Sequence, residues 1–532
     1  MQENFEIMLS VDLGTGGPKV ALVTTDGHVV ASELTPITTQ RIGRSGATQN
    51  PLDWWQAIVG STRNLLSSGE VKPDQIVGIA TTGQWGSTVP VDVDGQPAGD
   101  CMLWMDSRGY EYSRSLMAGP TPFRIEGYGI DRVLKFIRKS SGAPALQGND
   151  PLGHYLFMKN ELPDIFENTA YFLEPVDFIS LCFTGVVKAT PASMILSWIV
   201  DIRNLGNAKY AKDLIRITKR DFNKVPELVP TGSIVGTICK KASDELGIKE
   251  GLPVVSGIPD LLSAPPGSGG MDDYDFHLAI STSSWMSCHV PYKKTDPFRQ
   301  IATVPGVMPG KYLIANNHDT AGITLEWLRD ILFSSAQARP KYSEIDSLIE
   351  KVPAGSGGII FTPWLTGERC PVDDRTLRGS FLNLSLDSTK DEMIRSLYEG
   401  VAFNARWMQD AVEKFIKRKV GSIRFIGGGA SSKIWCQIHA DILEREVHQV
   451  KDPLVANVRG VALYGAMALK KTDATRIKAS VKVDEVFSPN KNNQALYREL
   501  YGIYKGLYKK QHKMYATLNR SSSPITRSKE ME

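Results

Sequence analysis

The sequence predicts an α/β protein of two domains, and three observations carry that expectation. A chain of 532 residues exceeds what one hydrophobic core supports, so two units of roughly 200–280 residues are expected. Apolar runs of strand length occur at the N-terminus and again at Phe276 to Ser281. Between and after them lie long segments whose apolar residues recur every three or four positions. Hydrophobic residues at 42% and charged residues at 22% match ordinary globular proteins and argue against a fibrous or disordered chain.

Taken in order, Glu6 to Gly14 reads as a strand ending in Asp-x-Gly, Lys19 to Thr24 as a second, and His28 to Ala31 as a third after the turn Thr25-Asp-Gly27. Asp53 to Leu66 has helical spacing through Trp54, Ile58 and Thr62, and Ile76 to Ala80 is a further strand. Asp94-Gly95 reads as a hairpin turn. A Pro/Gly/Ser-rich break at Pro265 to Gly270 divides the chain into 1–262 and 263–532. Strand, Thr-containing turn and strand at Leu9 to Thr24 are echoed at Leu278 to Val290. Asp391 to Phe415 reads as a helix with Thr389 and Glu392 at capping-box spacing. Asn493 to Tyr515 is another, whose stripe of Tyr497, Leu500, Tyr501, Tyr504 and Tyr508 is core packing. Ser521 to Glu532 is polar and Ser-rich, and a frayed tail is expected there.

Charge and cysteine usage remove several function classes. A net charge of +3 from 61 basic and 58 acidic residues, with no block of like charge, leaves no footprint for nucleic acid. Cys101, Cys182, Cys239, Cys288, Cys370 and Cys436 stand far apart without a zinc spacing. Met1 to Ser10 lacks a basic n-region, and no run of 18 apolar residues occurs, so a cytoplasmic protein without a membrane partner is expected. His154, His318 and His439 have no ligand-spaced carboxylate or cysteine and read as satisfied or exposed residues. No Gly-x-Ser-x-Gly elbow accompanies a suitable His and Asp, and Gly427-Gly-Gly429 lacks the final glycine of a dinucleotide fingerprint.

Phosphate binding needs backbone N–H groups in a tight turn and small side chains around it. Asp12-Leu-Gly-Thr-Gly-Gly-Pro-Lys19 offers this: Gly14, Gly16 and Gly17 can take positive φ, Thr15 has a hydroxyl, Lys19 is a cation, and Asp12 can hold Mg²⁺ directly or through water. A Gly-rich hairpin beside an Asp is also a common structural turn.

Further segments, in order, resemble the FGGY carbohydrate kinases, most closely the xylulokinase-like branch. The family's first phosphate motif is similar to Asp12 to Lys19, and its glycine before a Trp-Leu helix to Ala321-Gly322 through Trp327-Leu328. Its most recognisable segment resembles Phe361 to Pro371 continuing to Ser385, and its adenosine motif Ile426 to Ser431, so the resemblance runs from about Ile7 to Leu469. It implies an actin-like (ribonuclease H-like) ATPase fold of two lobes, each a mixed sheet flanked by helices, with the active site in the cleft between them. The N-terminal lobe would bind the sugar and carry the first phosphate motif. The C-terminal lobe would bind the nucleotide. The implied activity is transfer of the γ-phosphate of ATP, with Mg²⁺, to a hydroxyl of a ketopentose such as D-xylulose or a related sugar or polyol.

Carried over residue by residue, Asp260 is the implied general base, Asp12 the metal carboxylate, and Thr15, Gly16, Gly17, Lys19, Thr282, Gly322, Gly428, Gly429 and Ala430 the nucleotide and phosphate contacts. Gln84, Trp85, Asp106 and Arg108, with Asp260, are the implied sugar contacts. Read on the residues alone, an Asp after Pro at a strand end is more commonly a turn residue or cap, a Trp beside a strand more commonly core, and Asp106 with Arg108 equally a surface ion pair. Three departures mark the sequence. The glycine run expected at Asp260 is reduced to Gly257, the Gly-Thr-Ser-Gly of the second phosphate motif reads Ser281-Thr-Ser-Ser284, and the histidine of the sugar loop is absent from Gln84-Trp-Gly-Ser87. Those departures also motivate a second reading, a nucleotide- and sugar-binding regulator with weak or no phosphotransfer. Homodimers occur in the family, but the sequence marks no interface.

Overall fold

The computed structural model describes residues 5–334 and 339–519; the predicted tail, Ser521 to Glu532, lies outside them. The first apolar run forms β1 (Ile7–Gly14), which folds back as β2 (Gly17–Thr24) and then β3 (Val29–Leu34). Asn50 caps α1 (Pro51–Ser67) by accepting from Leu52 N, and Pro51 opens the helix where its missing N–H costs nothing. β4 (Ile76–Gly83) lies parallel to β1, and β5 (Ile234–Thr237), β6 (Pro253–Val255) and β7 (Ile258–Pro259) complete a seven-stranded sheet. Its order is β5-β6-β4-β1-β2-β3, with β7 pairing on β4.

The two-residue period of β1 assigns each face its task. Ile7, Leu9, Val11 and Leu13 pack into one core with Trp54 and Ile58 of α1, whereas Met8 joins a second core on the opposite face. Ser10 and Asp12 share the Met8 face by the same alternation. Lys19 of β2 stands directly opposite Asp12 in the antiparallel register, so the two project from the same face.

The Pro/Gly/Ser-rich stretch read as a break is not a loop. It completes α2 (Asp260–Ser268), in which Leu261 through Ser268 are all buried. A second sheet follows, built from β8 (Phe276–Ile280), β9 (Ser284–Ser287), β10 (Ile423–Ile426), β11 (Val447–Val450) and β12 (Val483–Phe487) in the order β9-β8-β10-β11-β12. β8 and β9 form an antiparallel hairpin with β10 parallel to β8, which repeats the β2-β1-β4 arrangement and realises the internal echo. Around this sheet lie α3 (Gly322–Leu332), α4 (Lys390–Ile416), α5 (Lys433–Leu443), α6 (Ala456–Ala468) and α7 (Lys491–Leu518). α4 carries the predicted capping box, with Thr389 and Glu392 exchanging hydrogen bonds. The tyrosine stripe of α7 packs into the core, Tyr504 donating to Asn404 Oδ1 at 2.9 Å. Asp94-Gly95 forms the expected turn, with Gly95 at φ 76°.

α2 and α6 cross between the sheets. A Cβ on Gly267 would strike the Ala456 carbonyl, and one on Gly460 the Ser263 carbonyl, so the backbones meet at a distance only glycine permits. Arg459 Nε and Nη2 donate to Gly267 O at 3.1 and 2.8 Å across the crossing. α6 then packs on β1 and β4, with Gly465 against Met8 and Ala80. A helix from late in the chain thus covers the face of the first sheet that carries Asp12.

His277 of β8 is fully buried, and neither ring nitrogen has a partner among the described residues. Burial first, then the neighbouring His289, lowers its pKa from 6.5 to about 3. The unfolded chain takes up that proton at 6.5 and the folded chain does not, so this group removes stability as pH falls below 6.5. Against His277→Leu, the wild type is expected to lose about 1.4 kcal/mol per pH unit between pH 6.5 and 4. Thermal midpoints of both proteins across that range check it; a gap that does not widen with acidity removes His277 as the cause.

Candidate active site

Three parallel strands end together at the site. Asp12 of β1 is in register with Thr82 of β4, and Pro259 of β7 with Gly83, so Asp12 and Asp260 emerge at the ends of the two strands that flank β4. Asp260 is the first residue of α2 and its Oδ1 accepts from Leu261 N at 2.7 Å. No other side chain or backbone group of the described residues outside its own residue donates to that carboxylate. Burial, and then the charge of Asp12, raise its pKa to about 7. Asp12 is raised to about 6 by burial, opposed by Lys19 and by a hydrogen bond from Asn457 of α6. Both carboxyls are disposed to hold a proton near neutrality.

The β1–β2 turn needs glycine at one position above all. Gly17 has φ 134°, and a Cβ there would meet the Thr35 carbonyl, whereas Gly16 is exposed with open space around it. Lys19 Nζ donates to Leu454 O at 3.1 Å, reaching from the first sheet to the segment preceding α6. Thr15 turns toward Trp104 and Gln84: Trp104 Nε1 donates to its hydroxyl at 3.0 Å, and the hydroxyl donates to Gln84 Oε1 at 3.5 Å. Gln49 Nε2 holds the Thr15 carbonyl at 2.8 Å.

On that side Gln84 is buried, with Nε2 lacking a partner among the described residues. Trp85 packs partly buried against the main core with Nε1 donating to Ser193 O at 3.1 Å, while Trp104 is the more open indole, 37% exposed. Asp106 and Arg108 are not a surface pair. Asp106 is wholly buried and takes Arg108 Nε and Nη2 at 3.0 and 2.7 Å, as well as Ala47 N at 2.9 Å. The guanidinium also lies 4.6 Å over the Phe157 ring. His154 backs this turn, its Nδ1 on Thr88 Oγ1 at 3.0 Å and Nε2 on Asp106 O at 3.1 Å, and burial keeps it neutral with a pKa near 4. His318 and His439 are likewise buried, each with one nitrogen bonded.

The second sheet supplies two turns. In the β8–β9 turn Thr282 is exposed, and Ser284, which stands where the family pattern has glycine, is buried with its Oγ bonded to His318 Nδ1 at 2.9 Å. Ala321 N donates to Thr282 O at 2.9 Å and Gly322 N to Ser281 O at 2.7 Å; a Cβ on Gly322 would strike that carbonyl. After β10, Gly428 is exposed, whereas Gly429 and Ala430 are buried, Gly429 against Ile280 and Ala430 O accepting from Gln449 Nε2 at 2.6 Å. Of the three, only Gly428 offers its backbone to a ligand from the surface.

The segment Phe361 to Pro371 buttresses these turns from behind. Glu368, fully buried, accepts from Asn404 Nδ2 at 2.6 Å and from Arg369 N at 2.8 Å, and burial together with nearby Asp319 raises its pKa to about 8. Asp319 in turn pairs with Arg369 and Arg375.

No group of three or more His, Cys, Asp or Glu among the described residues could enclose a metal ion, and no helix there is long and apolar enough to cross a membrane. Mg²⁺ does not need such a cage, since it takes one or two carboxylates beside phosphate and water. Asp12 and Asp260, at the ends of the two strands that flank β4, offer carboxylates of that kind. Sequence reasoning missed Asn457, Gln49 and Trp104 as site neighbours. Trp104 stands two residues before Asp106, close to a residue the sequence does single out, but nothing local marks Asn457.

Residues 7–267 match the N-terminal domain of the FGGY family of carbohydrate kinases, and 282–469 its C-terminal domain. A xylulose kinase of Staphylococcus epidermidis is 28% identical over 520 residues, covering 96% of this chain and 98% of its own. A gluconokinase of Bacillus licheniformis is 24% identical over 504 residues, 93% and 94% of the two chains. Ligand-bound xylulose kinase from Lactobacillus acidophilus superposes with a TM-score of 0.83 at 22% identity, covering 96% of this chain and 99% of that one. The fold is the actin-like one of these kinases. Two ordered domain matches, which together span most of the chain, establish that it belongs to the FGGY family of carbohydrate kinases and is a phosphotransferase with an alcohol acceptor.

Proposed function

We propose that the enzyme transfers the γ-phosphate of ATP to a hydroxyl of a neutral ketopentose such as D-xylulose, or a closely related sugar or polyol, with Asp260 as general base. The observation that carries this is the pair of strand-end carboxylates, one of them with no donor beyond its own helix start. In this reading Asp260 accepts the proton of the attacking hydroxyl; a base whose pKa lies near 7 is matched to that task. Lys19 and the backbone of the β1–β2 and β8–β9 turns hold the phosphates, and Gly428 meets the adenosine side. Asp12 would hold Mg²⁺, assisted by the hydrogen bond from Asn457, and the ion when bound neutralises phosphate charge. Closure of the lobes about the α2–α6 crossing excludes water from the transferring group. We place the lobes at 1–262 and 263–532, a boundary that falls within α2, and the enzyme in the cytoplasm.

Neutral rather than acidic sugars are favoured by charge. Arg108, the cation assigned to the sugar side, is already neutralised by its contact with Asp106, so it is not free to meet a sugar carboxylate. ADP release measured over D-xylulose, other ketoses, glycerol and gluconate tests the assignment. Turnover on the order of 1–100 per second with a ketose is expected. A preference for gluconate would refute the neutral pocket, and the absence of sugar-dependent turnover across the panel would refute phosphotransfer to this substrate class.

A further inference from the structure

We propose that Glu174 is a positioning residue for the sugar-binding loop, holding Gln84 to Ser87 in place from behind through the backbone N–H of Gly86. The inference rests on the sugar-kinase reading above and adds a residue to it. Glu174 lies 88 positions from Gly86 in sequence, yet its Oε2 accepts from Gly86 N at 3.0 Å. The carboxyl is 2% exposed and its other oxygen has no partner among the described residues. It belongs to a buried polar cluster: Asp177 and Arg220 both lie close enough to act on its charge, and Asp177 is itself wholly buried beside Ser193, whose carbonyl holds Trp85 Nε1.

The loop needs such an anchor because its own conformation is demanding. Gly86 has φ 83°, and a Cβ there would press on Leu196 and approach Trp104. The N–H of such a residue cannot join the β4 ladder, and in a buried site it must be paired elsewhere. The loop is also tied where Gln84 N donates to Leu13 O at 2.8 Å, at Trp85, whose Nε1 donates to Ser193 O, and at Ser87, whose Oγ donates to Gln84 Oε1 at 3.3 Å and accepts from Trp104 N at 3.0 Å. Glu174 is the contact that fixes this group to the N-terminus of a separate helix, Pro175–Thr184. A buried polar network with one free oxygen is also a costly arrangement, which a purely apolar residue would avoid. In the sugar-kinase reading the loop it holds presents Gln84, Trp85 and the neighbouring Trp104 to the sugar, whereas the β8–β9 turn and Gly428 lie on the other sheet and the β1–β2 turn meets the loop through Thr15. Its influence is therefore expected to fall chiefly on sugar affinity and much less on ATP.

Three variants test this with the sugar identified by the panel. Glu174→Leu removes the acceptor and is expected to raise the KM for sugar and lower kcat/KM for sugar by about 10- to 100-fold, the scale of a misplaced binding group, with the KM for ATP within about twofold. Glu174→Gln keeps an oxygen in reach of Gly86 N and is expected to restore the sugar KM to within about threefold of wild type. Should Glu174→Leu fail to fold, Glu174→Asp carries the test, since a shorter acid cannot reach the same N–H and should shift the sugar KM alone. Equal effects on sugar and ATP, or an unchanged sugar KM in the folded Leu or Asp variant, would overturn the proposal. An inactive wild type would instead count against the kinase substrate assignment.

Discussion

Asp260→Asn is expected to lower kcat with the preferred sugar by about 10²- to 10⁴-fold, the range for removal of a general base. The substitution is informative because asparagine keeps an oxygen for Leu261 N, the one hydrogen bond the aspartate makes to a neighbouring residue. If the residue served only to open α2, Asn would perform that task nearly as well, and stability would shift by a few tenths of a kcal/mol. Loss of turnover with an unchanged thermal midpoint therefore separates base from cap. Asparagine also cannot take a proton at neutral pH, while the aspartate, raised to about 7 by burial and by Asp12, sits at the boundary between its two states. Steady-state ADP release alongside a thermal melt is sufficient, and turnover within a few-fold of wild type would remove Asp260 as base.

The parts of the site that were legible in the sequence are those made by adjacent residues. Asp12 and Lys19 belong to one hairpin, so a strand–turn–strand pattern already sets them face to face across two strands. Thr389 and Glu392 announced their helix for the same local reason. What composition obscured was tertiary. Pro265 to Gly270 has the make-up of a linker, yet Gly267 is small because α6 crosses its backbone, not because the chain turns there. Thr15 reads as a phosphate ligand from its motif, but its hydroxyl is held by an indole 89 residues away. Ser284 reads only as a departure from a glycine, and nothing near it in sequence shows that its hydroxyl is bonded to His318. In each case the deciding partner lies far along the chain, where no periodicity or turn rule reaches. The Asp106–Arg108 pair is the sharpest instance, because two charges two residues apart give no sign of depth.

Asp106→Ala is the second large expected effect, and it reads on both stability and binding. The carboxylate is wholly buried and serves three groups at once: the Arg108 guanidinium, Arg108 N at 3.1 Å, and Ala47 N at 2.9 Å. Removing it leaves a largely buried cation without its counter-charge, which costs about 3–5 kcal/mol where burial is complete and somewhat less here, since Arg108 retains some solvent. If the ion pair dominated, removing the stranded cation as well should recover most of the loss, and Asp106→Ala with Arg108→Met would be more stable than Asp106→Ala alone. Recovery is expected to be partial, because Ala47 N and the turn after Leu103 still lack their acceptor, at about 1–3 kcal/mol for a buried unpaired N–H. The same turn carries Trp104, whose N–H reaches the Thr15 hydroxyl, so loosening it should also raise the sugar KM in both variants. Denaturation midpoints of the single and double variants, read beside sugar KM, distinguish the two terms. Full recovery of stability with a still-raised KM would assign the carboxylate's structural weight to the ion pair and its functional weight to the backbone it holds, whereas an unchanged midpoint in Asp106→Ala would mean that neither contact bears on folding.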